Sequence, residues 1–263
     1  MPGEVAAPLA GQVIVVTGAA GGIGSAIVEA VTRAGARAVI AADRDPDGLA
    51  RLAAGHGGDC ELVSVVADVS EASALPDALA REHDRLGQLD GLVVASGISS
   101  FTHRPGGTPM GLAPATDLDP QLFADVLGVN FYGFLHASRA FARELQSRRR
   151  GGSIVSLSSI AATRAVAGNA PYCVSKAAAR MLMKCLALEL AGSQIRVNSV
   201  APGYVRTAML SPAFLGRAAD VPLGRIAEPE DIAPVVTFLL SPAGAYLTGT
   251  EISADGGVLA AVR

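Results

Sequence analysis

A tyrosine and a lysine four residues apart, Tyr172 and Lys176, stand in the stretch YCVSK, within a segment whose apolar pattern is helical. Residues four apart on a helix share one face. An ammonium group beside a phenol stabilises the tyrosinate and lowers the tyrosine pKa from its ordinary value of about 10. A phenol tuned in this way exchanges a proton with a substrate oxygen. Such pairs are also common on helices for structural reasons alone, so the pair needs further support.

Two other polar residues would support this chemistry. Ser159 ends a strand-like run thirteen residues before Tyr172, and its hydroxyl would orient a substrate carbonyl or alcohol. Asn130 lies in the apolar segment VLGVNFYGFLHA, although asparagine is disfavoured in helix interiors. A buried amide needs hydrogen-bond partners. A water held between Asn130 and Lys176 would satisfy this amide, and bonding to the local backbone is the alternative.

A glycine-rich turn between a predicted strand and a predicted helix runs from Thr17 to Gly24 as TGAAGGIG. Glycines let the backbone approach a pyrophosphate closely, and the N-terminus of the following helix offers free N–H groups. Because methyltransferases and chance turns carry similar sequences, this motif alone is weak evidence. It predicts dinucleotide binding, with Gly18, Gly22, Ile23 and Gly24 next to the phosphates.

Acidic residues end the second and third predicted strands. Asp43 lies about 20 residues beyond the glycines, where a carboxylate accepts hydrogen bonds from the adenosine ribose and repels a 2′-phosphate. Arg44 follows directly and could bind such a phosphate, so NAD is preferred to NADP without NADP being excluded. Asp68 would accept from the adenine amino group while Val69 packs nearby. The structural alternatives are an ordinary turn residue at position 43 and a helix cap at position 68.

Strand-like apolar runs alternate with amphipathic helical segments along the chain. The strands are nearly continuous in Val, Ile and Leu, which is typical of a parallel sheet buried on both faces. The alternation indicates right-handed βαβ units. We therefore predict one α/β domain over residues 1–263, with a doubly wound parallel seven-stranded sheet and helices on both faces. The predicted strands are QVIVVT, RAVIAAD, ELVSVVA, GLVVAS, SIVSLS, IRVNSV and TEISA.

Composition excludes several classes of function. Of 263 residues, 50% are hydrophobic and 17% charged, and the formal net charge is −3. These values predict a globular protein with no nucleic-acid or membrane partner. Three cysteines and four histidines without metal-ligand spacing predict no metal site and a reduced, cytoplasmic protein.

Taken together, these motifs resemble the short-chain dehydrogenase/reductase family in its compact form. The resemblance runs from LAGQVIVVTG to ISADGG and includes the turn PGYVRT after the sixth strand. It implies a single-domain Rossmann fold, NAD(P)-dependent alcohol oxidation or ketone reduction, and a homotetramer. It also implies roles for Tyr172 as acid/base, Lys176 as ribose ligand and modifier of the tyrosine pKa, Ser159 as substrate-orienting group, and Asn130 as support for proton relay.

The resemblance also implies a set of cofactor contacts, with one departure from the family pattern. After the fourth strand the family usually shows Asn-Asn-Ala-Gly, whereas this chain has Val94-Ala95-Ser96-Gly97. Backbone contacts to the cofactor survive that change, but we expect the side-chain bonds that brace the central sheet to be lost. The predicted cofactor-binding residues are Gly18, Gly22, Ile23, Gly24, Asp43, Arg44, Asp68, Val69, Ala95, Ser96, Gly97, Tyr172, Lys176, Pro202, Gly203, Val205 and Thr207.

Two long segments that follow strands, residues 98–119 and 208–222, are predicted to form the substrate loops. Their apolar side chains favour a mainly apolar secondary alcohol or ketone, although His103 and Arg104 would instead suit an acidic group. The apolar residues are Phe101, Met110, Leu112, Met209, Leu210, Phe214 and Leu215.

The sequence therefore favours an NAD-dependent oxidoreductase that interconverts a secondary alcohol and a ketone. One alternative is an NADP-dependent ketoreductase similar to 3-oxoacyl reductases. Another is a protein that binds NAD without turnover, which the combination of Asn130, Ser159, Tyr172 and Lys176 argues against, because a binding protein has no use for the tyrosine.

Overall fold

The computed structural model of the protein describes residues 7–99, 114–210 and 216–261. Within these ranges, seven parallel strands form one sheet in the order β3-β2-β1-β4-β5-β6-β7, which confirms the predicted α/β fold. Each predicted strand is present. The strands are β1 (Val13–Thr17), β2 (Ala38–Asp43), β3 (Glu61–Val66), β4 (Gly91–Val94), β5 (Gly152–Leu157), β6 (Ile195–Pro202) and β7 (Glu251–Ala254).

Helices connect the strands, and two of them begin after a capping aspartate. Asp45 and Asp119 each precede a proline and accept a hydrogen bond from the backbone N–H two residues on, which satisfies one free donor of the helix. The α-helices of the described ranges are α1 (Gly22–Arg33), α2 (Pro46–Gly55), α3 (Pro76–Leu86), α4 (Pro120–Leu127), α5 (Gly133–Ser147), α6 (Ala170–Leu190) and α7 (Pro229–Leu240).

The sheet is covered on both faces, and alternate residues of each strand divide between two apolar cores. Val13 and Val15 of β1 belong to a core that α3, α5 and α6 complete, with Phe141 at its centre. Ile14 and Val16 face the opposite way, into a core completed by α1 and α7. This arrangement explains why the strand sequences are apolar throughout.

The strand order reverses between β1 and β4, because β1 pairs with β2 on one side and with β4 on the other. Ligands of open α/β sheets bind outside the carboxyl ends of the strands at such a point. Thr17 and Val94 are paired at these ends. The glycine-rich turn after β1 and the segment after β4 therefore begin side by side.

No helix of the described ranges has the length and apolar character needed to cross a membrane. No three His, Cys, Asp or Glu side chains of the same ranges are grouped to hold a metal ion.

Candidate active site

The glycine-rich turn is packed so closely that only glycine fits at two of its positions. Gly18 has a φ of +69°, and a Cβ built on it would lie 2.5 Å from the backbone nitrogen of Ser96. A Cβ on Gly24 would lie 2.0 Å from the carbonyl oxygen of Gly18. Bare backbone at the start of α1 is what close approach to a pyrophosphate requires, so the turn fits a dinucleotide.

A cavity of about 360 Å³ opens beside this turn, between the carboxyl ends of β1, β2 and β4. It brings together most of the predicted cofactor-binding residues. Those that line it are Gly18, Gly22, Ile23, Gly24, Asp43, Arg44, Asp68, Val69, Ala95, Ser96, Gly97 and Thr207.

Asp43 both lines this cavity and holds the glycine turn in place. One of its carboxylate oxygens accepts a hydrogen bond from the Ala20 backbone N–H at 3.0 Å, and the other accepts from the Asp45 N–H at 3.0 Å. Each carboxylate oxygen can accept more than one hydrogen bond, so the ribose role and the turn role are compatible. Arg44 is exposed at the same edge of the cavity.

Asp68 forms a tight turn rather than a helix cap. Its Oδ1 accepts from the backbone N–H of Ser70 at 2.9 Å and from the Ser70 hydroxyl at 2.7 Å. Helix α3 begins eight residues later, with Leu75 as its N-cap, so the helix-cap alternative is wrong. Val69 is buried, and a Cβ on Gly133 would lie 2.7 Å from its Cγ2.

The expected loss of side-chain bonds after β4 is wrong. The Ser96 hydroxyl donates to the Thr17 hydroxyl at 2.9 Å, and the Ala95 backbone N–H donates to the Thr17 carbonyl at 3.0 Å. A serine hydroxyl therefore joins the ends of β1 and β4 across the sheet, where the family usually shows asparagine. Because Ser96 also lines the first cavity, this hydrogen bond stabilises part of the cavity wall.

Asn130 is buried, and it lies in a π-helical turn between α4 and α5 rather than in a regular α-helix. Its side chain accepts from the Ile98 backbone N–H at 2.8 Å and donates to the Ile98 carbonyl at 2.9 Å and to the Ser175 hydroxyl at 2.9 Å. The alternative of bonding to local backbone is therefore wrong, because both partners are remote in sequence. Single π-turns are frequent at functional sites.

Ser175 extends this connection to the tyrosine. Its hydroxyl donates to the Tyr172 carbonyl at 2.8 Å, so hydrogen bonds link the segment after β4 to the first turns of α6. Sequence reasoning missed Ser175, although a small polar residue in the middle of an apolar helix was a usable signal.

Lys176 and Tyr172 share one face of α6, as the spacing predicts. The Lys176 ammonium lies 5.7 Å from the centre of the Tyr172 ring and donates to the Leu157 carbonyl at 2.7 Å. Burial lowers the pKa of Lys176 to about 8, because the charged form loses its hydration. Gly97 lies close to the Asn130 amide and to the Lys176 ammonium. A Cβ built on it would lie 3.4 Å from Asn130 Oδ1 and 3.5 Å from Lys176 Nζ.

The net shift of the Tyr172 pKa within the chain itself is upward, so the predicted net lowering is wrong. Desolvation by burial raises the pKa of Tyr172 above its ordinary value. A hydrogen bond with the Ser159 side chain acts in the opposite direction, and Cys173 adds to the increase. The phenol is therefore held in its protonated form at neutral pH.

A second cavity, of about 420 Å³, is lined by three of the four predicted catalytic residues. Ser159, Tyr172 and Lys176 all line it, as do Pro202, Gly203, Val205 and Thr207 of the turn after β6. Asn130, the fourth predicted catalytic residue, lines neither cavity. Ile23, Ala95, Gly97, Thr207 and Met209 line both cavities, so the two are adjacent.

The predicted substrate loops fall only partly within the described residues. Ser99, Met209 and Leu210 line the second cavity. The positions Phe101, His103, Arg104, Met110, Leu112, Phe214 and Leu215 lie outside the described residues. Sequence reasoning missed Arg164 and Asn169, which also line this cavity, because they stand in a short irregular segment without periodicity.

We expect Asn130→Ala to lower the free energy of unfolding by about 2 kcal/mol, because the Ile98 N–H and carbonyl lose their partner while remaining buried. Ser175→Ala, which removes one neighbouring hydroxyl, should cost about half as much. Urea denaturation of both variants measures the difference. Equal stabilities for Asn130→Ala and the unaltered chain would contradict this structural role.

Comparisons with known proteins agree with this architecture. A family profile described as Enoyl-(Acyl carrier protein) reductase matches residues 18–259. The galactitol 2-dehydrogenase (L-tagatose-forming) of Cereibacter sphaeroides is 37% identical over 95% of each chain. A short-chain type dehydrogenase/reductase from Mycobacterium marinum has a TM-score of 0.86 and 32% identity, covering 96% of this chain and 97% of its own. The 3-ketoacyl-(acyl-carrier-protein) reductase from Brucella melitensis, complexed with NADH, has a TM-score of 0.83 and 30% identity, covering 95% and 99%.

Proposed function

The chain belongs to the short-chain dehydrogenase/reductase family of nicotinamide-dependent oxidoreductases, and from this premise we propose that it interconverts a secondary alcohol and a ketone with NAD as its cofactor. One observation carries the proposal: Ser159, Tyr172 and Lys176 line a cavity that adjoins the glycine-walled cavity after β1 and shares five lining residues with it. The relative named galactitol 2-dehydrogenase (L-tagatose-forming) supports a secondary alcohol as the substrate class.

The proton is handled by Tyr172. In ketone reduction its hydroxyl donates a proton to the substrate oxygen, and in alcohol oxidation its phenolate accepts one. The burial that raises its pKa favours the protonated phenol, which is the form that reduction requires. The Ser159 hydroxyl, hydrogen-bonded to Tyr172, positions the same substrate oxygen. The nicotinamide ring, when bound, accepts or supplies the hydride.

Lys176 has two proposed tasks in this scheme. Its ammonium, close to the tyrosine ring, stabilises the phenolate whenever the proton has been transferred. Its remaining donors are able to hold a ribose hydroxyl, since the Leu157 carbonyl occupies only one of the three. Asn130 positions the segment after β4 and the start of α6 through Ile98 and Ser175, so that both cavity walls keep their spacing.

The preference for NAD rests on Asp43. The carboxylate lines the first cavity at the end of β2 and would be placed against a 2′-phosphate, a like-charge contact that costs affinity. Arg44 supports a second candidate, an NADP-dependent ketoreductase, because its exposed guanidinium lies beside the same cavity and suits a phosphate.

One assay tests the proposal and separates the two candidates. A panel of secondary alcohols and ketones is followed through the absorbance of reduced nicotinamide, with NAD(H) and NADP(H) in parallel. We expect turnover with NAD(H), and a kcat/KM at least about tenfold higher than with NADP(H), because like-charge repulsion of about 1.4 kcal/mol corresponds to that ratio. Asp43→Asn should reduce the ratio. A higher kcat/KM with NADPH would reject the Asp43 argument in favour of the ketoreductase.

A further inference from the structure

Among the described residues, the charged side chains that line the catalytic cavity are all positive. Arg164, Lys176 and Arg217 line it, and no Asp or Glu is among the described residues that do. The rest of the wall is largely apolar, with Leu157, Ile160, Val166, Met209 and Leu210. Lys176 is buried, whereas Arg164 and Arg217 are exposed, so the latter two would meet an anion at the solvent-accessible part of the cavity.

The three cations differ in the hydrogen-bond and ion-pair partners that they already have. Lys176 is buried beside Tyr172 and bonded to the Leu157 carbonyl. Arg217 is near Asp220, at 3.5 Å between Nη1 and Oδ2. Arg164 forms no ion pair with a described residue, although it follows closely on the turn that Ser159 begins, where its backbone N–H donates to the Ile160 carbonyl at 2.9 Å.

The same cavity offers hydrogen-bonding groups that the fold leaves unused. The Ser158 hydroxyl and Asn169 Oδ1 are buried and have no hydrogen-bond partner among the described parts of the chain. Both residues line the cavity together with Arg164. Buried polar atoms without partners are rare in folded proteins. Of these two atoms, only the Ser158 hydroxyl is able to donate a hydrogen bond to an anion, because an amide oxygen only accepts.

We propose that Arg164 binds an anionic group of the substrate, so that the substrate has an apolar body, a carbonyl or alcohol at Tyr172 and a carboxylate-type anion at Arg164. The inference rests on the proposed function for the reacting end of the molecule. A planar guanidinium matches a carboxylate through two parallel hydrogen bonds, which makes arginine more selective here than a lysine would be.

The test compares 3-oxoalkanoates with their neutral amides in NADH-dependent reduction. For Arg164→Gln, we expect kcat/KM for the acids to fall at least about tenfold, mainly through KM, while values for the amides stay within about twofold. Arg33→Gln is the matched control, because Arg33 lies on α1 outside both cavities and its removal changes the net charge equally. Equal effects of Arg164→Gln on acids and amides, or no effect on either, would overturn the proposal.

A binding measurement separates this inference from the proposed function. Calorimetry of the acids and amides with the NADH-loaded chain needs no turnover. Tighter binding of the acids that is lost in Arg164→Gln, in a protein that reduces no ketone, would support the anion site and reject the proposed reaction. Binding of acids no tighter than that of amides, including no binding of either, would reject the anion site whatever the activity.

Discussion

Phenylalanine in place of Tyr172 is expected to lower kcat by at least about a hundredfold while the affinity for NADH stays within about twofold. The substitution removes one hydroxyl from the catalytic cavity and keeps the ring that packs beside Lys176. Because the proton must still reach the substrate oxygen, it has to come from water or from another group of the cavity that is not placed for the transfer as Tyr172 is. Stopped-flow or steady-state reduction assays measure kcat, and NADH fluorescence measures the affinity.

The structure indicates that Tyr172→Phe removes the phenol hydroxyl without disturbing its neighbour Ser159. The Tyr172 side chain hydrogen-bonds with Ser159, which retains its bond to the Ala161 N–H at 3.1 Å when the phenol is removed. Tyr246→Phe is the control for loss of a phenol, since Tyr246 is fully exposed and lines neither cavity. We expect it to behave as the unaltered chain.

Two outcomes would contradict the role given to Tyr172. A kcat within about tenfold of the unaltered value would mean that another group transfers the proton. Loss of NADH affinity together with activity would indicate that the phenol holds the cofactor or the fold instead. The inert NAD-binding alternative is excluded only if the unaltered chain turns over a substrate and Tyr172→Phe does not.

Alanine in place of Gly24 is expected to lower the free energy of unfolding by about 3 kcal/mol and to abolish cofactor binding. The new Cβ would lie 2.0 Å from the Gly18 carbonyl oxygen and 3.1 Å from the Ala19 Cα. These are backbone atoms of the turn after β1, and they cannot rotate away as a flexible side chain could. Either the turn or the first turn of α1 must move.

Gly55→Ala is the matched control for this prediction. Gly55 is the last residue of α2, and a Cβ built on it meets no other atom within 4 Å. Alanine is the better helix former, so we expect unchanged or slightly increased stability. Urea unfolding and NADH titration of both variants provide the comparison. A stable Gly24→Ala variant that binds NADH normally would refute the close packing of the turn and α1.

Local patterns were sufficient for the elements and for several single residues. The strands are apolar runs because both sheet faces are buried, and this leaves a signal in each short segment. The glycine turn and the Tyr172–Lys176 pair are likewise readable, because backbone sterics and helix periodicity act over a few residues.

Contacts between distant segments were not readable from the sequence. Asn130 finds its partner in Ile98, 32 residues away, and Ser96 finds Thr17, 79 residues away. The sequence predicted that Asn130 bonds to local backbone or to a water, and that no side-chain bond holds the end of β4. Neither Ile98 nor Thr17 could be recognised as a partner from its residue type or its spacing. Only the order of strands in the sheet brings these groups within hydrogen-bond distance.

The sequence by itself therefore determined the parallel sheet, the glycine turn and the catalytic pair, since each depends on short-range sterics or on periodic burial. The tertiary structure decided the direction of the Tyr172 pKa shift and the charge of the catalytic cavity. Both depend on every group packed around one point, and for the Tyr172 pKa the largest contribution is the burial of the phenol.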